Sequence, residues 1–161
     1  MGTQQILMIV LSVIVVGAAI AVGIAMFDTQ ATNNARNAVS SQIAQFAVDA
    51  QGWYRTPRMM GGADTDPTLV TTASAPVIAR HLHQGSQGNV ITMPSGLYRI
   101  TIAGTIAGYT GPTITIDGTT QRPRGWINVQ GVVGLAGADR EIIVTVNDMS
   151  DAPLFTAPTA P

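Results

Sequence analysis

The sequence predicts an α+β fold: a long N-terminal α-helix, apolar in its first half and amphipathic in its second half, packed on a small antiparallel β-sheet. Three observations carry this expectation. Residues Ile6 to Phe27 form one apolar run of 22 residues without a charge. Apolar residues then recur at steps of three and four as far as Trp53, which is the stripe of an amphipathic helix. Beyond Gly88, short alternating segments are separated by Gly, Pro and Asn, the pattern of strands joined by close turns.

Residues 1–27 form the first element. A helix over the 22-residue run is about 33 Å long, enough to cross a hydrocarbon core of about 30 Å. Such a segment is either a membrane anchor or a helix buried in a polymer of its own copies. A secretory signal has a basic start and a shorter apolar stretch. Here Met1 to Gln5 carry no Lys or Arg, and helical residues continue past Phe27. With Met1 as initiator, the first positive charge is Arg36, which would leave the β-rich part in the cytoplasm. Removal of a basic leader before Met1 would reverse that orientation. Gly17 and Gly23 sit inside the run, beside Ala18, Ala19 and Ala21. They read as close helix packing or, alternatively, as a place where the helix can unwind.

Residues 28–55 continue the helix with one apolar side. Ala31, Ala35, Ala38, Val39, Ile43, Phe46, Ala50 and Trp53 mark the stripe, and Gly52 and Thr56-Pro57 supply the stop. Ala35, Val39, Ile43, Phe46, Ala50 and Trp53 are expected to cover the sheet. Residues 56–88 read as a connector holding a short helix from Ser74 to His83, with Ser74 as N-cap, Pro76 in the first turn and Gly85 past the end.

Residues 89–150 carry the strand signals. The expected strands are Asn89 to Met93, Leu97 to Ile102, Thr113 to Asp117, Trp126 to Gln130 and Glu141 to Asn147. Asp117-Gly118 reads as a turn. The recurrence of Gly131, Gly134 and Gly137 reads as a loop or a close backbone contact. Residues 151–161, with three prolines besides Thr156 and Thr159, read as an extended tail lying on a surface.

Composition narrows function. The 161 residues carry a net charge of −1 and include no lysine and no cysteine. Scattered arginines on a near-neutral chain give no electrostatic footprint for nucleic acid. Low net charge weakens repulsion between copies. Without cysteine there is no disulfide, no thiol catalysis and no cysteine-ligated zinc. No catalytic residue, cofactor site or metal site is assigned. His81 and His83 point to different sides on a helix and could share a face on a strand, but no further ligand cluster accompanies them. Asp64-Thr65-Asp66 lacks the later Gly and Glu of a calcium loop. Asp148 and Asp151 read as solvated turn carboxylates, and Glu141 has no acid/base partner in sequence. The run QGWYRTPR, Gln51 to Arg58, reads as a packed helix terminus with Arg55 near the C-terminal dipole. Nothing here points to an enzyme.

The order of parts resembles a type IV pilin: an uncharged apolar helix at the start, an amphipathic continuation, a connector and a small antiparallel β-domain. The likeness covers the whole architecture, with sequence-level likeness confined to residues 1–54. The resemblance implies a leader cut before Met1, methylation of the new N-terminal residue, and a filament core of bundled apolar half-helices. It implies assembly roles for Met1, Gln5, Ile9, Val13, Val16 and Ile20, with helix flexibility at Gly17 and Gly23. In that family position 5 is usually a glutamate that meets the N-terminal amine of a neighbouring subunit. Here Gln5 would accept a hydrogen bond from that amine instead of forming an ion pair. A proline is often found near position 22 in the family, and this chain has Val22. These departures suggest a divergent branch, and leave an archaeal-type pilin or a pseudopilin of a secretion system open; the alternative function is a membrane-anchored pseudopilin or a single-pass surface binding module. The implied partners are identical subunits in a homopolymer, inner-membrane lipid before assembly, and the pilus assembly machinery. The implied location is an extracellular filament on the cell surface, stored in the cytoplasmic membrane before assembly.

Overall fold

The computed structural model describes residues 2–103, 111–122, 125–135, 142–147 and 149–156. Met1, Gly137, Glu141, Asp148 and Thr159 lie outside the described residues. The chain is α+β, with helix α1 (Gly2–Arg55), helix α2 (Ala75–Leu82) and five strands: β1 (Val90–Met93), β2 (Gly96–Ala103), β3 (Thr113–Arg122), β4 (Gly125–Gly134) and β5 (Ile142–Val146). It divides into two compact units, Met1–Asn34 and Ala35–Pro161, and α1 contributes to both.

The first unit is helix throughout its described length. Two of its hydroxyl side chains turn back onto their own helix. Ser12 Oγ donates to Ile9 O at 2.8 Å and Thr29 Oγ1 to Ala25 O at 2.9 Å. Each bond uses a donor that the helix itself satisfies.

In the second unit the stripe of α1 covers a sheet. The strands form an antiparallel meander in the order β1-β2-β3-β4-β5. Because side chains alternate along a strand, the register sorts them into two faces. Tyr98 stands opposite Gly118, which stands opposite Val129; Ile116 stands opposite Gly131, which stands opposite Val144. This inner face, with Ile91, Ile100, Ile114, Ile127 and Val133, joins Val39, Ile43 and Phe46 of α1 in one buried cluster. Each fully buried side chain of this size contributes about 1.5–3 kcal/mol against exposure. Ala75, Ile78 and Ala79 of α2 complete the cluster, at the three-and-four spacing of one helix face.

Two glycines set how closely the helix lies on the sheet. A Cβ on Gly118 would stand 2.8 Å from Val39 Cγ1 and 2.9 Å from Ile43 Cδ1, and one on Gly131 would collide with Ile43 Cγ2. The missing side chains on β3 and β4 make the notch into which Ile43 fits. One sequence expectation is corrected: Asp117-Gly118 is not a turn but the middle of β3. Of the two readings of Gly131, a loop or a close backbone contact, the structure has the contact, within β4, where Gly134 also lies. Asp117 stays in the strand because its carboxylate is paired across the sheet, and Gly118 because the helix needs its bare backbone.

The connector is tied to the end of α1 by that helix's aromatic residues. Trp53 Nε1 donates to Gly61 O at 2.9 Å, and Tyr54 Oη donates to Thr65 O at 2.6 Å. Gly61 takes a φ of +84° at the end of a 3-10 turn over Arg58–Met60, where a glycine is favoured. Asp66 accepts from Thr68 N at 2.9 Å and from Thr68 Oγ1 at 2.7 Å, opening a second turn over Pro67–Leu69. Those bonds, the side-chain one foremost, hold the Asp66 carboxyl below its ordinary range. A third 3-10 turn, Thr72–Ser74, feeds directly into α2. Ser74 precedes α2 as expected but makes no side-chain cap bond. Its hydroxyl donates to Leu69 O at 2.7 Å, because the chain enters the helix already coiled. Helix α2 ends at Leu82, and His83 is extended, ahead of Gly85.

Candidate functional site

The first unit carries the largest anomaly of the chain. Large apolar side chains from Ile6 to Phe27 all stand open, among them Ile9 at 64%, Val13 at 66%, Val16 at 57% and Ile20 at 58% relative exposure. The most apolar 18-residue window of α1 has a mean hydropathy of 2.9 and is not buried at all. By length and composition the helix can cross a membrane. A continuous apolar surface of this extent marks a membrane or protein contact. Gln4 and Gln5 are exposed on the first turns of α1. A Cβ added at Gly17 or Gly23 would meet nothing within 4 Å, and α1 is unbroken through both. Any close packing that uses them needs a second helix.

In the second unit, Ala35, Val39, Ile43, Phe46, Ala50 and Trp53 are all buried. Ala47 and Tyr54 of α1 are buried beside them, and neither was picked out by the stripe. Ala31 and Ala38, which were, are exposed. A small alanine fits either side of a helix, so its side is decided by what lies opposite.

The structure adds a feature with little trace in the sequence. The outer face of the sheet is polar and yet substantially buried: Thr113, Thr115, Asp117, Thr119 and Asn128 are all below a tenth exposed. Arg99 on β2 stands opposite Asp117 on β3, which stands opposite Gln130 on β4. Arg99 Nη2 reaches Asp117 Oδ2 at 3.0 Å, and Gln130 Nε2 donates to Asp117 Oδ1 at 2.8 Å. One register step away, Thr119 Oγ1 donates to Asn128 Oδ1 at 2.7 Å. Part of this face is crossed by the C-terminal segment. Ser150 bridges to Trp126, extending the β5 side of β4. Beyond it, Asn128 Nδ2 donates to Ala152 O at 3.2 Å, and Leu154 N donates to Asn128 Oδ1 at 3.4 Å. The Arg99 guanidinium lies 4.7 Å from the ring centroid of Phe155, which is 8% exposed. The sequence signal was the alternation of polar with apolar residues along Leu97–Ile102, which set Arg99 and Thr101 apart from Tyr98, Ile100 and Ile102, and along Thr113–Asp117.

An open depression of about 540 Å³ lies among Trp53, Gly61, Val77, Arg80, His81 and Gln84. His81 is exposed and His83 half-buried. Among the described residues no three His, Asp or Glu side chains gather as metal ligands would. No family model matches the sequence, and no curated protein or solved structure matches it.

Proposed function

We propose that the chain is the structural subunit of a type IV pilus-like helical filament, which assembles by burying the apolar half of α1 against the same segment of other copies. One observation carries this reading: residues 6–27 are uncharged and every large apolar side chain in them is exposed. About a dozen such side chains at about 1.5–3 kcal/mol each far outweigh surface ion pairs at about 0–1 kcal/mol. Gly17 and Gly23, which touch nothing in the single chain, give neighbouring helices room to approach closely. Before assembly the same surface is satisfied by membrane lipid, and the filament stands outside the cell. Assembly machinery and methylation of the N-terminal residue belong to the same proposal. The head domain, with its own core, forms the outside of the filament.

The alternative is a chain that stays in the membrane as a pseudopilin or single-pass surface module, and the fit of the helix to a bilayer favours it. Electron microscopy of purified protein and of shed cell-surface material separates the two. Helical filaments with a helix-bundle core are expected. A detergent-solubilised monomer that never polymerises on detergent removal would sink the filament reading.

A further inference from the structure

We infer that the outer face of the sheet is a peptide-docking surface, filled in the single chain by its own residues 152–155 and able to take the same segment of a second copy. The contacts have the form of peptide recognition. The Asn128 amide donates to Ala152 O and accepts from Leu154 N, so one side chain pairs with a peptide backbone as a neighbouring strand would. Thr119 donates to the same Oδ1 at 2.7 Å and so fixes which way the amide points. One side chain of the segment is anchored: Phe155, over the guanidinium of Arg99. That guanidinium is in turn held by Asp117, and Asp117 by Gln130. The cradle is therefore organised by bonds among its own residues, and the segment adds the last contacts.

The segment itself is lightly held. Asp151, Ala152 and Leu154 are exposed, and Phe155 is its only buried residue among those described. Pro153 favours an extended backbone. Every contact that holds the segment within one chain can be made equally by the segment of another, which is what makes segment exchange between identical copies inexpensive. A net charge of −1 opposes close approach of copies very little. The inference rests on the filament reading only for the supply of neighbouring copies. Its test uses monomers kept in detergent, so the two readings fail separately.

The probe is a labelled peptide with the sequence of Ser150 to Thr156, added to full-length chains in micelles. A Phe155→Ala chain, whose own anchor is gone, is expected to bind it saturably and in preference to a scrambled peptide. Adding Asn128→Ala is expected to weaken that binding about tenfold or more. Mixing an Asn128→Ala chain, with an intact segment, and a Phe155→Ala chain, with an intact cradle, is expected to give energy transfer between differently labelled copies above that of either alone. In the unaltered chain, excess peptide is expected to speed hydrogen exchange at the Leu154 amide, a readout that does not depend on any variant folding. Binding no better than the scrambled peptide, together with unchanged Leu154 exchange, would overturn the docking surface. Peptide binding without energy transfer in the mixture would overturn the exchange between copies.

Discussion

The ring of Phe46 on α1 meets the ring of Tyr98 on β2 edge-on, with centroids 5.3 Å apart and planes at 85°. The positive edge of one ring against the negative face of the other favours this geometry. It locks one turn of the helix to one strand. Tyr98 is fully buried, and its hydroxyl shares a 2.8 Å hydrogen bond with Ser95 Oγ. Phe46 to Ala is expected to cost the head about 3–5 kcal/mol, as for other buried aromatic truncations. Phe46 to Leu retains most of the volume and should cost less, losing chiefly the ring contact, about 0.5–1.5 kcal/mol. Chemical denaturation followed by near-ultraviolet circular dichroism measures both, and equal losses would deny the ring contact a separate contribution.

Gly131 to Ala puts a methyl where Ile43 Cγ2 sits. The expected destabilisation is about 1–3 kcal/mol from overpacking. Ile43 to Ala alone should cost about 2–5 kcal/mol through the cavity it leaves. The double variant is expected to be more stable than the sum of the two losses, since the second change removes the collision made by the first. Strict additivity in thermal melts would show that the notch does not set the helix position.

Burial holds the Tyr98 phenol above its ordinary value of 10.0, against the opposing effect of its bond to Ser95. The folded chain therefore keeps its proton at pH values where the unfolded chain has lost it. The contribution to stability is complete below the unfolded value and is lost as pH rises through the folded one. Melting temperatures between about pH 8 and 11 should fall more steeply for the unaltered chain than for Tyr98→Phe. Parallel curves would place the alkaline transition on another group.

A charge in the apolar half separates assembly from folding. Val13 to Asp adds a carboxylate to a surface that the proposed filament buries, where an unpaired ion is far too costly to accommodate. Val13 is not part of the head's core. Filament yield should fall to nothing while the circular dichroism of the head is unchanged. Normal filaments from this variant would remove the apolar half of α1 as the adhesive element.

Much of this protein was legible in the order of its residues, because the signals were periodic and long. The uncharged run at 6–27 determined an exposed apolar helix half that requires a partner of some kind. The three-and-four stripe singled out Val39, Ile43, Phe46 and Trp53, all buried, and alternation together with a short apolar run at 89–93 and a weaker signal at 126–130 located segments of all five strands. What alternation could not decide is where a strand runs through a glycine. Asp117-Gly118 has the local chemistry of a turn, and only the arrival of Ile43 and Val39 from far away in the chain makes bare backbone there worth more than a bend. The polar face was hidden for a related reason. Arg99, Asp117, Asn128 and Gln130 are ordinary surface residue types when taken singly, and Phe155 is a lone aromatic in a Pro- and Thr-rich stretch. Strand register set the first four side by side, and the returning C-terminal segment brought Phe155 to them. Sequence period reports which way a side chain faces, whereas tertiary structure alone decides what meets it, since contacts between residues distant in the chain leave no local pattern.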